Sequence, residues 1–298
     1  MKLKFWGVRG SIPTPGELTV RYGGNTPSLE LRLDNDELII FDAGTGIRRL
    51  GDHLIANGES LNAYLLITHP HWDHIQGFPF FKPALISGNE ITIIGTERKE
   101  VNLQRIIADQ MNRIYFPVQL NELKAKINFR PIGEESFTIF GAHVRTMYVN
   151  HPGFTVGYRL EYKGKSLVYI SDNEPFDKEV AGRITNFEKI VQDKFAAVPG
   201  DPNQRVFDFA KNADILIHDC TYTPEEYVDK VGWGHSHYLF TLKVAAEANV
   251  KHLVLFHHEP NRSDEKVDDI LLKCKKEIQT KKFQFQCTAA REGLELSW

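Results

Sequence analysis

Cysteine is scarce in this chain, which has three cysteines among 298 residues. They lie far apart, at Cys220, Cys274 and Cys287. An odd and widely spaced set does not suit the disulfide framework of a small secreted protein, and it favours a reducing compartment. We therefore predict a cytoplasmic protein.

Long apolar runs are lacking as well, since no stretch approaches the roughly 18 apolar residues of a membrane span. Residues 1–7 carry charge without a long apolar core. Neither a membrane partner nor a secretory signal is expected from these features. Low-complexity tracts, short internal repeats and Ser/Gly linkers are also missing, so we predict a single domain over residues 1–298.

Positive charge is not in excess, because 36 Lys and Arg stand against 39 Asp and Glu, a formal net charge of −3 at pH 7. Affinity for a long nucleic acid depends on a basic surface field, so such a polymer is not favoured as the partner. Hydrophobic residues make up 42% of the chain, which is enough for a sizeable core. A small anionic ligand is compatible with this charge.

Apolar stretches of strand length recur along the chain. In the first part, strands are predicted at 2–6, 28–33, 37–41, 63–68, 91–94, 126–131, 143–149, 155–162 and 166–171. Later runs at 214–218, 252–256 and 283–286 alternate with helical stretches at 236–249 and 263–280. The first half is therefore predicted to be rich in sheet, and the second half to be α/β.

The most informative segment is His69-Pro-His-Trp-Asp-His74, which directly follows an apolar strand. Imidazole nitrogens and carboxylate oxygens are ligands for first-row divalent ions. His69 and His71 are two apart on extended backbone, so they point the same way and are predicted to bind one ion. Asp73 and His74 follow where the chain turns and are predicted to face a second ion, with Asp73 also a candidate catalytic residue. Surface histidines without a metal are the competing interpretation.

The segment 69–77 resembles the His-x-His-x-Asp-His signature of the metallo-β-lactamase superfamily. The resemblance implies an α/β fold in which two mixed β-sheets pack face to face with helices outside, a four-layer αββα sandwich. It also implies that Asp42, in the Asp-x-Gly element Asp42-Ala-Gly44, braces the metal loop through hydrogen bonds. The same residues also fit an ordinary strand, turn and helix start.

A two-metal site needs more donors than one segment supplies. Three further candidates follow apolar strand-like runs in the order that the resemblance implies: His151, Asp172 and His257, with His258 competing for the last place. The resulting assignment places His69, His71 and His151 on one ion, Asp73, His74 and His257 on the other, and Asp172 between them. All donors are nitrogen or oxygen, so zinc is the first choice for the two divalent ions, and manganese or iron is allowed.

Two divalent ions about 3.5 to 4 Å apart activate a bridging water and bind the oxygens of an electrophile, which predicts a hydrolase. The stretches 216–222 and 232–236 resemble the His-Glu-Ala-Thr and Gly-His-Ser-Thr elements of the ribonuclease Z and phosphodiesterase branch. This resemblance implies that His235 is the general acid for the leaving oxygen and that Asp219 orients it.

Two departures accompany that assignment, because Asp219 is shorter than the family's Glu and His237 stands where the family has Thr. A competing interpretation makes Ser236 the N-cap of a helix that begins at Tyr238 and leaves His235 in solvent. His237 is either a second candidate donor or a helix-start residue.

The expected substrate is a small phosphodiester, and a 3′,5′-cyclic nucleotide is the first choice. Ribonuclease Z carries a basic arm between the ligands that correspond to His151 and Asp172, whereas this chain has two short strands there. Segments 5–13 and 22–28 instead resemble cyclic-nucleotide phosphodiesterase-like members, although their glycines equally suit tight turns. Cleavage at the 3′ end of tRNA is the first alternative, and a non-catalytic ligand-binding member of the fold is the second.

Two further features have open interpretations. The extra length at 176–211 is interpreted as a lid or a subunit contact, and the latter allows a homodimer. Phe78, Phe80 and Phe81 form either a wall for base stacking or part of the core.

Overall fold

The computed structural model describes residues 1–97, 101–176, 193, 197 and 199–298. These residues form two compact units, which we describe separately. Unit 1 comprises Met1–Gly133 with Arg291–Trp298, and unit 2 comprises Glu134–Ala290. The single domain over 1–298 stays a prediction. The lid or subunit contact predicted around 176–211 falls largely outside the described residues.

Unit 1 is built on a mixed sheet of seven strands. They are β1 Lys2–Gly7, β2 Ser28–Arg32, β3 Leu38–Phe41, β4 Asn62–Ile67, β5 Glu90–Thr96, β6 Lys126–Ile132 and β14 Glu295–Ser297. Their order is β14-β1-β2-β3-β4-β5-β6. β3 to β6 run parallel, whereas β1 pairs antiparallel with both β2 and β14.

The described helices of unit 1 are short and pack on this sheet. They are α1 Gly46–Ala56, α2 Trp72–Ile75 and α3 Leu103–Asp109, with 3₁₀ turns at Glu17–Thr19, Phe78–Phe80, Lys82–Leu85 and Leu120–Glu122. α1 supplies the crossover that the parallel pair β3 and β4 requires. Its residues Ile47, Leu50 and Leu54 recur at helical spacing and are buried in the core of the unit.

Unit 2 has a second mixed sheet of seven strands. They are β7 Ser136–Ile139, β8 Ala142–Tyr148, β9 Val156–Tyr162, β10 Lys165–Ile170, β11 Ile215–Asp219, β12 His252–Phe256 and β13 Gln286–Ala289, in the order β13-β12-β11-β10-β9-β8-β7. β7 to β10 are antiparallel and β10 to β13 are parallel. The described helices are α4 Gln204–Ala210, α5 Pro224–Tyr227, α6 Tyr238–Glu247 and α7 Asp264–Lys281.

The parallel strands of unit 2 explain why residues distant in sequence converge. β10, β11 and β12 pair in register, with Ile170 opposite His218 and Asp219 opposite Phe256. Their carboxyl ends therefore lie at one edge of the sheet, where polar residues of an α/β fold collect. Asp172 follows β10, and His257 follows β12.

Two mixed sheets with helices confirm the predicted α/β fold class. The strand predicted at 283–286 begins three residues too early. Phe283 instead closes helix α7, because its N–H donates to the carbonyl of Ile278 and its ring stacks on Phe285. Strand β13 begins only at Gln286. In the described part of the chain, no helix is long and apolar enough to cross a bilayer.

Candidate metal centre and acid pair

The four donors of the segment 69–74 form one cluster in unit 1. The His69 ring lies 4.4 Å from that of His71 and 4.3 Å from that of His74, measured between centroids. His74 Nε2 is 3.3 Å from Asp73 Oδ2. His69, Asp73 and His74 are buried, and His71 is half-buried at the N-cap of α2. The structure therefore brings these predicted donors together.

Asp42 holds this cluster, as the resemblance implied. Its carboxylate accepts the backbone N–H of Thr68 at 2.8 Å and contacts His74 Nδ1 at 2.8 Å. The Thr68 hydroxyl also donates to Asp42, and it lies 3.1 Å from His69 Nδ1. A carboxylate on Nδ1 leaves Nε2 of His74 as the nitrogen that is available to a metal. Thr68 shares the bracing role and was missed by the sequence analysis.

The N-terminal segment also reaches this cluster, through a hydrogen bond of 2.7 Å from the Ser11 N–H to Asp73 Oδ2. Its glycines serve close packing. A Cβ at Gly7 would lie only 1.8 Å from the carbonyl oxygen of Thr26. Of the two interpretations of this segment, tight packing has direct support in the structure.

Unit 2 places Asp172 between two imidazoles. Its Oδ2 is 3.7 Å from His151 Nε2 and 3.5 Å from His257 Nε2. His151 Nδ1 donates to the carbonyl of Gly234 at 2.7 Å, and His257 Nδ1 lies 3.1 Å from the Thr221 hydroxyl. Both rings therefore turn Nε2 towards the carboxylate.

This donor set fits divalent ions. The three groups are buried, and the separations between imidazole and carboxylate are too long for direct hydrogen bonds. Buried imidazole nitrogens that share a carboxylate, each with Nδ1 already held, are typical of first-row metal ligands. The nitrogen and oxygen chemistry matches the metals predicted from the sequence.

His257, rather than His258, faces this cluster. His258 Nε2 contacts the carbonyl of Ala290 at 2.8 Å. The backbone of His257 is left-handed, with φ of 58°. That conformation turns the chain directly after β12, so the rings of His257 and His258 point in different directions.

His235 and Asp219 form the predicted pair, with His235 Nδ1 3.0 Å from Asp219 Oδ2. The His235 ring stacks on that of His257 at 4.7 Å between centroids, and its Nδ1 is 3.9 Å from Asp172 Oδ2. Asp219 Oδ1 accepts both the N–H and the hydroxyl of Thr221, at 2.9 and 2.8 Å. A carboxylate fixed in this way orients the imidazole and stabilises its protonated form.

The competing N-cap interpretation of Ser236 is wrong. Its hydroxyl donates to the carbonyl of Asn173, and its N–H donates to Asp219. His237 caps α6 instead, accepting the N–H of Phe240 at 3.4 Å, and burial lowers the pKa of His237. His235 is buried with 8% of its surface exposed, so it is not a solvated side chain.

Two of the three phenylalanines that follow the segment 69–77 belong to the core. Phe78 and Phe81 are each 1% exposed and belong to the core of unit 1. Phe80 is 55% exposed and meets the edge of Phe116 at 5.2 Å between centroids. Core packing is therefore confirmed for two of the three residues.

Sequence reasoning missed three supporting side chains, Thr68, Thr221 and Glu174. Thr68 is next to His69, and Thr221 lies two positions after Asp219. A hydroxyl so close to a predicted site residue was the available signal. Glu174 lies two residues after Asp172 and is fully buried. No local pattern indicates its burial.

Comparison with known proteins places the chain in a family. A model described as the Beta-lactamase superfamily domain matches residues 38–199, just over half of the chain. Ribonuclease Z from Thermoplasma acidophilum is 25% identical over 309 residues, covering 94% of this chain and 92% of that protein.

Two solved structures share the fold. The metallo-beta-lactamase fold protein YhfI from Bacillus subtilis superposes with a TM-score of 0.67 at 17% identity, covering 99% of this chain and 98% of that one. The short form of human tRNase Z superposes with a TM-score of 0.63 at 20% identity, covering 100% and 99%. The chain therefore belongs to the beta-lactamase superfamily and is a metal-dependent hydrolase.

Proposed function

We propose that this hydrolase cleaves a small phosphodiester, with 3′,5′-cyclic nucleotides as the first candidates. The observation that carries the proposal is the hydrogen bond of 3.0 Å between His235 and Asp219, beside Asp172. Phosphodiester cleavage expels an alkoxide, which is a poor leaving group, and a positioned imidazolium protonates it. Opening of a β-lactam needs no such pair.

The residues proposed to hold two divalent ions, zinc first, are His69, His71, Asp73 and His74 of unit 1 and His151, Asp172 and His257 of unit 2. When bound, such ions supply an activated water and neutralise charge on the phosphate. Asp73 also keeps its proposed catalytic role. Its carboxylate is held in position by the Ser11 N–H.

The chain's own proton donor is the imidazole of His235. Asp219 occupies Nδ1, so Nε2 carries the proton to be donated. Thr221 fixes the carboxylate of Asp219 through two hydrogen bonds. The acid is thus oriented before substrate binds, which reduces the reorganisation needed in the transition state.

The preference for a small substrate is supported by the segment between His151 and Asp172. It contains β9, β10 and a two-residue turn, Lys163-Gly164, in which both residues have positive φ. Such a tight hairpin leaves no length for a basic arm. The net charge of −3 likewise provides no field for a long polyanion.

A tRNA 3′-end endonuclease is the second candidate function. It is favoured by the similarity to Ribonuclease Z, which extends over 94% of this chain. Because both candidates use the same acid pair, that pair does not distinguish them, and trials with different substrates are needed.

The test is to incubate metal-loaded protein with cyclic nucleotides, linear dinucleotides, pre-tRNA, a β-lactam and bis(p-nitrophenyl) phosphate. We expect cyclic-nucleotide hydrolysis, and a fall of about 10²- to 10⁴-fold in its rate for His235→Ala. The p-nitrophenyl ester should lose much less, because p-nitrophenolate leaves without protonation.

His143→Ala is the matched control, since His143 is exposed on β8. It should behave as the unmodified protein on every substrate. Cleavage of pre-tRNA without turnover of the small diesters would establish the second candidate. Turnover of the lactam alone, or an unchanged rate for both cyclic nucleotides and pre-tRNA in His235→Ala, would overturn both.

A further inference from the structure

The segment 227–235, which we name the acid segment, carries His235 but has little regular structure of its own. It begins at the last residue of the four-residue helix α5, and its Gly232 and Gly234 both have positive φ. A general acid must be held within a fraction of an ångström of its working position. The contacts that hold this segment therefore bear directly on the proposed reaction.

One carboxylate, that of Glu174, accepts hydrogen bonds from three residues of the acid segment. Glu174 Oε1 accepts the Tyr227 hydroxyl at 2.7 Å and the Gly232 N–H at 2.7 Å. Glu174 Oε2 accepts the Gly234 N–H at 2.9 Å. These three donors span the segment from its first residue to the residue before His235.

The backbone of Glu174 is held just as firmly. Its N–H donates to the carbonyl of Asn150 at 2.7 Å, and its carbonyl accepts the Asn150 side chain at 3.0 Å. Asn150 directly precedes His151. Glu174 therefore joins the acid segment to the loop that carries a predicted metal ligand.

Gly234 completes the connection. Its N–H contacts Glu174, and its carbonyl accepts His151 Nδ1 at 2.7 Å. A Cβ at Gly234 would lie 2.2 Å from His151 Nδ1, so no side chain fits there. The orientation of His151 and the position of His235 thus depend on the same peptide.

A fully buried carboxylate is unfavourable unless its oxygens are satisfied. Burial raises the pKa of Glu174, and the hydrogen bonds from Gly232, Tyr227 and Gly234 oppose that rise. A glutamine of the same shape would turn an amide donor towards an N–H or hydroxyl donor, so one contact with the acid segment would be lost.

We propose that Glu174 is a positioning residue for the reaction, which sets the acid segment so that His235 protonates the leaving oxygen. It acts through hydrogen bonds to the segment and touches neither the substrate nor the reacting atoms. This inference rests on the proposed function, because the acid role belongs to His235.

The test compares Glu174→Gln, Glu174→Asp and Glu225→Gln in the metal-loaded full chain. Glu225 is exposed on α5, so its variant is a matched charge control outside the site. We expect kcat for cyclic-nucleotide hydrolysis to fall about 10- to 100-fold in Glu174→Gln, with KM nearly unchanged. Hydrolysis of bis(p-nitrophenyl) phosphate should stay within about twofold of the control, as for loss of the acid itself. Glu174→Asp keeps the charge and should recover part of the rate.

The double variant Glu174→Gln with His235→Ala should be no slower than His235→Ala alone, because both changes remove the same step. A further additive loss, or an equal loss on both substrates together with loss of bound zinc, would show that Glu174 only supports the fold or the metals.

Hydrogen exchange gives a readout that does not depend on activity. The backbone amides of Gly232 and Gly234 should exchange faster in Glu174→Gln than in Glu225→Gln. If the unmodified protein hydrolyses no phosphodiester, the proposed function fails, whereas the exchange result still decides whether Glu174 holds the segment. Unchanged exchange contradicts the inference whatever the activity.

Discussion

An Asp and a Thr support imidazole rings in the same way in each unit. In unit 1, Asp42 accepts the N–H and hydroxyl of Thr68, whose oxygen contacts His69. In unit 2, Asp219 accepts the same two groups of Thr221, whose oxygen contacts His257. In both, the carboxylate contacts the Nδ1 atom of a second histidine. Side chains that are not proposed metal ligands thus decide which ring nitrogen of each histidine is left free to face the site.

Metal affinity should therefore depend on Asp42. We expect Asp42→Asn to weaken zinc binding about 10- to 100-fold, because His74 loses the carboxylate that holds its Nδ1. Zinc retained after dialysis against competing chelator provides the measurement. Asp52→Asn is the control, since Asp52 is partly exposed on α1 and pairs with Lys82. Equal zinc retention in the two variants would contradict the bracing role.

The residue scale also shows where prediction from sequence ends. The donors of His69 to His74 could be predicted because they are adjacent in the chain. Asp172 and His257 could be predicted because each follows an apolar run. Glu174 was missed, since its importance comes from Tyr227, Gly232 and Gly234, which reach it only after folding.

At the scale of elements, the interior strands and the long edge strand β6 were predictable, whereas the short edge strands β7 and β14 were not. β10, β11 and β12 are buried along almost their whole length, so they appear as continuous apolar runs. β7 has four residues and β14 has three, and in both strands exposed residues alternate with more buried ones. A stretch that short carries too few apolar residues to stand out from a loop.

One carboxylate ties three neighbouring strands of unit 2 together. Asp214, just before β11, accepts the N–H and hydroxyl of Ser166 in β10 at 2.8 and 3.1 Å. It also accepts Lys251 Nζ, just before β12, at 2.8 Å. Burial raises the pKa of Asp214, but the hydrogen bonds from Lys251 and Ser166 outweigh burial and leave it below the ordinary 3.8.

A lowered pKa in the folded protein means that ionised Asp214 stabilises it. This contribution is fully present above pH 3.8 and is lost as the pH falls through the lower folded value. We expect Asp214→Asn to reduce the free energy of unfolding by about 1 to 3 kcal/mol at pH 7. Urea unfolding at a series of pH values should show the difference shrinking below pH 3.8. A difference that is independent of pH would mean that the charge is not responsible.

At the scale of the whole molecule, the net charge of −3 bears on the choice of substrate. A small diester offers about one phosphate contact, so raising salt from 50 to 200 mM should lower kcat/KM by at most about fourfold. An enzyme that holds a long RNA through 6 to 10 phosphates would lose about 10³- to 10⁵-fold in affinity. Steady-state rates across that salt range provide the measurement, and a steep dependence would favour the tRNA candidate.

The turn Lys163-Gly164 offers a place to lengthen the chain. It joins β9 to β10, and both of its residues are exposed. Exposed hairpin tips tolerate insertions because few buried groups depend on them. A grafted RNA-binding peptide or an epitope tag at this position should leave unit 2 folded. The substrate range could then be changed by an insertion, without altering the predicted metal ligands.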